Sequence, residues 1–162
     1  MEYNLILELE KYKHQILLKL IQNEKLVKAV ANNNRDFLDY PVDNPHALLY
    51  ENLFPYKKVP GASEEEKTVI TLSVGDIVPV NQKFVSNQIS FYVFTHVENL
   101  MRTNYGVSRT GYIGAEIHEM FNKSNQFGIG QLEISRLRDL EVNDHYFGVY
   151  LEYRDYNFDK KR

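Results

Sequence analysis

The chain has 162 residues, 43% of them hydrophobic, and its 19 basic and 22 acidic residues give a net charge of −3. That length suits one domain with its own core, whereas the weak negative charge disfavours a general nucleic-acid-binding protein, which gathers its ligand by positive charge. The chain has no cysteine, which excludes disulfide scaffolds, thiolate nucleophiles and cysteine zinc sites.

Two helices are predicted in the N-terminal segment, residues 1–34. Apolar residues recur at steps of three and four between residues 2 and 22, which is typical of an amphipathic helix. Asn23 predicts the cap of a second, shorter helix, which the asparagine run at residues 32–34 ends. No apolar run approaches the ~18 residues of a membrane span and no basic signal region is present, so we expect a soluble protein without a cleaved signal.

A proline-rich arm is predicted at residues 35–66. Its four prolines arrive too often for a long regular element, although Pro45 suits the first position of a helical turn at residues 45–50. Leu53 and Phe54 in this arm are large apolar residues and are expected to be buried. The arm therefore connects the helices to the next segment and also carries apolar side chains that need a partner.

The remaining residues, 67–162, are predicted to form a sheet with one more helix. Residues 67–74 are β-branched and alternate in polarity, and residues 88–98 are apolar on both faces, which favours a central strand. The connection between them, Asp76–Gln82, is interpreted as a loop or a variable finger. Helical spacing of apolar residues predicts the helix at residues 110–122.

The sheet is predicted to end in a hairpin. Residues 132–142 alternate in polarity with one change of phase near Arg136, which is typical of a bulge or a strong twist. After a turn, the last strand alternates again, and its predicted core residues are Phe147, Val149 and Leu151. The whole chain, residues 1–162, is therefore expected to be one α+β domain with a mainly antiparallel, twisted sheet of about four strands.

One pattern resembles a metal-dependent nuclease motif. Glu65 and Lys67 form an E-x-K pair, and Asp39 or Asp43 upstream could complete a PD-(D/E)-x-K site, in which two carboxylates hold Mg²⁺ and the lysine assists the attacking water. The E-x-K precedes the strand, and the candidate aspartate lies in the proline-rich arm. A solvated charge run is the preferred interpretation, and a small nuclease is the alternative from a different functional class.

Other candidate motifs are interpreted structurally. No pair among the five histidines has the spacing of a helical metal site, and 128-GIG-130 is a turn and not a phosphate-binding loop. The segment 108-SRT-110 before a helix could bind an anion, but helix capping with an exposed arginine is preferred. No cofactor and no metal is expected.

The aromatic C-terminal stretch raises the question of base or sugar stacking. Its neighbours Glu152, Asp155 and Asp159 are acidic and would repel phosphate, whereas single-strand binders pair aromatic residues with a basic groove. The preferred interpretation is a strand with one face in the core and tyrosines on the other. Tyrosine suits surfaces that are partly apolar and partly solvated, because it combines an apolar ring with a polar hydroxyl.

Three stretches together resemble a known family: residues 48–74, residues 89–122 and residues 128–158. They are similar to the small neck proteins of tailed bacteriophages and related prophages, in particular the tail terminator and tail-to-head joining proteins. The resemblance implies an α/β protein whose β-sheet carries helices on one side, and a structural, non-enzymatic role in the virion, assembled in the host cytoplasm. It also implies a homo-oligomeric ring, expected to be a hexamer, that ends the tail tube.

The implied partners are the tail-tube protein, a head-side connector or adaptor protein, and genome DNA that passes through the ring without specific binding; no membrane partner is expected. A head-closure or adaptor position in the same neck is an alternative, as is a binding module for a host factor. A ring with head-to-tail contacts needs two different patches on each copy. Candidate contact residues are Leu53 and Phe54 in the arm, and Tyr150 and Tyr156 on the last strand.

Overall fold

The computed structural model describes residues 4–61, 66–80, 83–125 and 131–155. Its helices are α1 (Leu5–Ile21), α2 (Glu24–Ala31), α3 (Val97–Leu100) and α4 (Arg109–Phe121). Its strands are β1 (Leu53–Phe54), β2 (Thr68–Val80), β3 (Lys83–His96), β4 (Leu132–Glu141) and β5 (Tyr146–Asp155). Two 3₁₀ turns, Phe37–Asp39 and Pro45–Leu48, lie between α2 and β1.

Asparagine side chains start both N-terminal helices. The Asn4 side-chain oxygen accepts hydrogen bonds from the backbone N–H groups of Ile6 and Leu7, at 3.1 and 3.2 Å. Asn23 does the same for Leu26 at 3.0 Å, which confirms the predicted cap. These bonds satisfy N–H groups that have no partner inside the helix, so the helix boundaries follow from local sequence.

The five strands form one mixed sheet in the order β1-β2-β3-β5-β4. β1 pairs with β2 in parallel, and every other neighbouring pair is antiparallel. This confirms the α+β class, the mainly antiparallel sheet and the central position of β3. The additional strand, β1, is two residues long, which is too short for a periodic pattern to predict.

The interpretation of Asp76–Gln82 as a loop or finger is wrong for the part that the structure describes. Residues 76–80 continue β2 and pair with β3, for example Ile77 with Ser86 and Pro79 with Phe84. Glycine, aspartate and proline have low strand propensity, which favoured a loop. Pairing with the long partner strand overrides that propensity; residues 81–82 lie outside the described chain.

The main hydrophobic core lies on one side of the sheet, which we call the helix face, under α1, α2 and α4. Among its strand residues is Phe91, which contacts Phe121 of α4 with 4.8 Å between ring centroids. A smaller cluster of Phe54, Val69, Phe94 and Tyr146 lies on the opposite side, the open face. Both sides of β3 are thus apolar at its centre, as predicted.

The predicted hairpin of β4 and β5 and its bulge are confirmed, because the pairing register shifts between Ile134 and Arg136. Of the three predicted core residues on β5, Leu151 is buried, whereas Phe147 and Val149 are only half-buried. The difference arises because helices cover the centre of the sheet and leave the β4 side exposed.

Candidate assembly surface

β4 is an edge strand, and part of its outer side is open. At its start, the connection from α4 covers that side: Leu132 N–H donates to the Ser124 carbonyl at 3.0 Å, and Ile134 N–H donates to Asn122 Oδ1 at 3.2 Å. From Ser135 to Glu141, no strand of the described chain pairs with the outer side of β4. An open edge of this kind can accept another strand.

A trough runs beside this edge on the helix face, between α4 and the β4–β5 hairpin. One part of it is a cavity of about 340 Å³ with a mainly apolar lining that includes Gly111, Gly114, Ala115, Ile134 and Leu137. Three of the four α4 residues that line it, Gly111, Gly114 and Ala115, have small or no side chains; the fourth is His118. Leu137 stands on the other wall and is 64% exposed.

The trough continues towards the N-terminus of α4. A second cavity of about 470 Å³ is lined by Ser108 and Thr110 from the helix end and by Asp139 and Glu141 from β4. Val149 lines both cavities, which makes them neighbours along the hairpin. The helix face of β4 therefore lacks cover along much of its length. We call the open edge and the trough together the β4 surface.

A closed circle of hydrogen bonds occupies the open face. Gln88 donates to the Ser90 hydroxyl at 3.0 Å, and the hydroxyls of Ser90 and Tyr150 are 3.0 Å apart. Tyr150 donates to Glu152 Oε1 at 2.9 Å. Arg154 closes the circle, donating to Glu152 Oε2 at 3.2 Å and to Gln88 Oε1 at 3.4 Å. Two adjacent strands contribute to one network, since Gln88 and Ser90 come from β3 and the others from β5, next to β4.

Glu152 is the acidic centre of this circle and is buried. Burial pushes its pKa up, but hydrogen bonds from Ser135, Tyr150 and Arg154, together with the charge of Arg154, outweigh burial and leave the pKa below its ordinary value. Ser135 donates to Oε2 at 2.7 Å. Both carboxylate oxygens thus accept hydrogen bonds from within the chain.

Three of the four predicted contact residues are buried in the single chain. Leu53 and Phe54 are 0% and 2% exposed, because β1 pairs with β2 and places each in a hydrophobic cluster. Tyr150 is 5% exposed, so the expectation that its side chain stands on the surface is wrong. Tyr156 lies outside the described residues. A subunit contact through these residues stays a prediction.

Of the three residues of the nuclease alternative, the structure describes Asp43 and Lys67. Lys67 donates from Nζ to the Glu51 carbonyl at 3.0 Å, and Asp43 is an exposed residue of the arm. Glu65 lies outside the described residues, as does 128-GIG-130, for which the sequence predicts a turn. Among residues 4–61, 66–80, 83–125 and 131–155, no three His, Asp or Glu side chains are grouped to hold a metal ion.

Arg109 was expected to be exposed, and this expectation is wrong. Its side chain is fully buried, and its guanidinium lies 4.7 Å from the ring centroid of Phe37. It donates to the backbone carbonyls of Ala29, Asn32 and Asn34, at 2.8, 2.5 and 3.1 Å. The neighbouring cap is as predicted, since Ser108 Oγ accepts from Gly111 N–H at 3.0 Å.

Sequence reasoning missed Arg109 because its partners are carbonyl groups about 80 residues away, at the end of α2. Longer bonds of 3.4 Å run to the carbonyls of Asn99 and Arg102. Burial lowers the pKa of Arg109 to about 10, and the charge of Arg102 acts in the same direction. The guanidinium remains charged at neutral pH and ties α4 to the N-terminal helices.

Within the described residues, each helix is too short or too polar to span a membrane.

Comparison with known proteins supplies the family. A search of curated proteins found no match, and a search of solved structures found none either. A family model described as YomW matches residues 23–154, from the cap of α2 to the end of the sheet. Because this match spans well over half of the chain, the protein belongs to the YomW family, a phage-derived family of Bacillus type.

Proposed function

We propose that the protein is a structural, non-enzymatic component of a phage particle and that copies of it assemble into a ring, expected to be a hexamer, in the neck. There it would end the tail tube and join the tail to the head-side connector. Membership of a phage-derived family supports a phage role, and the resemblance to neck proteins supports the position. A head-closure or adaptor position in the same neck is the alternative.

The observation that carries this proposal is the β4 surface. A chain that works alone normally avoids an exposed apolar wall beside an open strand edge. Here Leu137 is 64% exposed beside an edge that no described strand covers. Such a surface is expected of a protein that becomes complete when it contacts another polypeptide.

The arrangement of polar groups also favours a structural role. In the network around Glu152, both carboxylate oxygens accept hydrogen bonds from within the chain. Arg109, the largest fully buried side chain, contacts backbone carbonyls of the fold. Both features stabilise a rigid subunit, as an assembling protein requires.

In the ring, genome DNA would pass through the lumen without specific binding. The net charge of −3 supports this, because a weakly acidic protein does not grip a polyanion. The other partners in the proposal are the tail-tube protein and the head-side connector. Assembly would take place in the cytoplasm of the host, and the finished ring would be part of the virion.

Mass spectrometry of purified phage particles tests the location, and the expected result is the chain itself at a few copies per particle. Negative-stain microscopy and light scattering of the full-length protein, alone and with tail-tube protein, test the assembly; rings or capped tubes are expected. A monomer that is absent from particles and cuts DNA with Mg²⁺ would contradict the proposal. Loss of that cutting in Glu65→Ala would establish the nuclease alternative instead.

A further inference from the structure

The sheet has a second edge, at β2, that the described chain covers only in part. The short strand β1 pairs with β2 only at Ile70 and Thr71. β2 continues to Val80, and no other described strand pairs with its outer side. The sheet therefore offers an incompletely covered edge at each end, β2 at one and β4 at the other.

The two edges run in opposite directions. β2, β3, β5 and β4 lie side by side, and each neighbouring pair is antiparallel. An even number of antiparallel strands gives edge strands of opposite direction. Two copies placed side by side in the same orientation therefore bring β4 of one copy antiparallel to β2 of the next.

We propose that a second copy of this chain is the partner of the β4 surface, and that β4 of each copy pairs antiparallel with residues 72–80 of the next copy. The sheet would then continue from subunit to subunit around the ring. This inference rests on the proposed self-assembly and names the contact that produces it. The two contacting patches differ, so the interface is head to tail and closes by rotation.

The directions of the backbone groups fit this contact. Ile70 N–H donates outward to the Asn52 carbonyl at 2.8 Å, which makes Leu72 and Val74 the next residues with outward N–H and C=O groups. On β4, Val142 N–H donates inward to the Tyr146 carbonyl at 3.0 Å. The backbone N–H and C=O groups of Leu137 and Asp139 therefore point outward, away from β5. Backbone hydrogen bonds then form between residues whose side chains all lie on the helix face.

Both edges also carry apolar side chains on the helix face. In hydrogen-bonded pairs of antiparallel strands, both side chains lie on the same face of the sheet. Leu137 is the more exposed of two exposed apolar residues on β4, the other being Ile134. On the same face of β2, Val74 is half-buried, and Leu72 is buried within its own chain. A copy seated against β4 would bring its own helix layer over the trough and cover Leu137.

Disulfide trapping tests the contact cleanly because the chain has no cysteine. Ser73→Cys and Gly75→Cys place a thiol on the open face of β2, and Arg136→Cys, Arg138→Cys and Leu140→Cys place one on the same face of β4. Opposed residues of this kind form non-hydrogen-bonded pairs with Cα atoms about 4.5 Å apart, within disulfide reach. Gly75→Cys has room for its side chain, since a Cβ at this position would lie 3.7 Å from the Gln88 side chain.

Each β2 variant of the full-length protein is mixed with each β4 variant, oxidised and run on a non-reducing gel. At least one mixture is expected to give covalent dimers, and the matching double variant a ladder of higher species. Every single variant alone is expected to stay monomeric on the gel. Lys11→Cys, on the exposed surface of α1, is the control for random oxidation.

The possible outcomes test the strand pairing and the self-assembly separately. Dimers from a β4 variant alone would indicate a symmetric β4–β4 contact and overturn the proposed pairing. Oligomers in light scattering without any β2–β4 disulfide would overturn the pairing and leave the ring itself standing. A protein that stays monomeric in solution and with tail-tube protein would overturn both, whereas its presence in particles is decided separately by mass spectrometry.

Discussion

Leu151 and Leu137 lie opposite each other on neighbouring strands, yet only one of them is covered. Leu151 on β5 is 2% exposed beneath α4, whereas Leu137 on β4 is 64% exposed. The same comparison holds for the two regions around them. The β2–β3–β5 region is closed by α1, α2 and α4, and the β4 region has a trough where a further layer would fit.

The difference separates two uses of apolar surface. In the covered region, apolar side chains meet partners from the same chain, and their burial stabilises the folded subunit. In the β4 region the hydrogen-bonding edge and the apolar wall have no such partner among the described residues. Substitutions in the first region should therefore affect folding, and those in the second should affect assembly.

The largest effect is expected at Arg109, which holds the covered region together. Arg109→Met keeps much of the aliphatic volume but removes the hydrogen bonds to Ala29, Asn32 and Asn34. Because buried carbonyl groups then lose charged donors, the free energy of unfolding should fall by about 3 kcal/mol or more, measured by urea denaturation. Arg136→Ala, at an exposed position on β4, is the control and should change it by less than about 0.5 kcal/mol.

The paired leucines give the next effect and the most direct test of the comparison. Leu151→Ala should lower the free energy of unfolding by about 2–5 kcal/mol, since it leaves a cavity in the core. Leu137→Ala removes the same atoms at an exposed site and should cost less than about 0.5 kcal/mol, while it weakens self-association. Urea denaturation and light scattering measure the two quantities. Equal losses of stability from both substitutions would show that the two regions do not differ as proposed.

A smaller effect is expected at Gly148, where β5 lies very close to β3. A Cβ at this position would lie 1.8 Å from the Val93 carbonyl oxygen and 2.7 Å from the Phe94 Cα, so the strands must move apart. Gly148→Ala should therefore destabilise the protein by about 1–3 kcal/mol in thermal or urea denaturation. Gly75→Ala is the matched control in a strand, because its Cβ would meet only ordinary contacts at 3.7 Å or more. A similar loss in both variants would contradict the close approach.

Much of the fold follows from local sequence. Asn23 marks the start of α2 by its cap, as predicted, and the phase change near Arg136 marks the bulge. The cap of α1 is Asn4, inside the segment from residue 2 that periodicity assigned to the helix. These features depend on residues within a few positions of one another, which is the range over which periodicity and capping carry information. The outer half of β2 was missed because its pairing with β3 overrides weak strand propensity.

The candidate site was less predictable. Which side of a strand is covered depends on where helices pack, and nothing near Tyr150 indicates that Ser90 and Glu152 enclose its hydroxyl. Likewise, Leu137 alternates as a core residue would, but the helix layer ends before it. Tertiary placement thus decides which tyrosines and leucines stay exposed, and local pattern alone does not.

The smallest effect concerns the polar circle beside β4 and depends on pH. Because the pKa of Glu152 is lower in the folded chain than its ordinary value, its ionised form contributes stability at neutral pH, and this contribution is lost as the pH falls through the folded-state pKa. In urea denaturation, Glu152→Gln should therefore be less stable than the native chain at pH 7, and the gap should narrow as the solution is acidified. Tyr150→Phe removes one donor to this carboxylate and should show a smaller gap in the same pH window. A stability difference between Glu152→Gln and the native chain that stayed constant across this range would show that the hydrogen-bond circle does not stabilise the ionised carboxylate. The contrast between a hydrogen-bonded open face and an uncovered β4 surface would then be weaker.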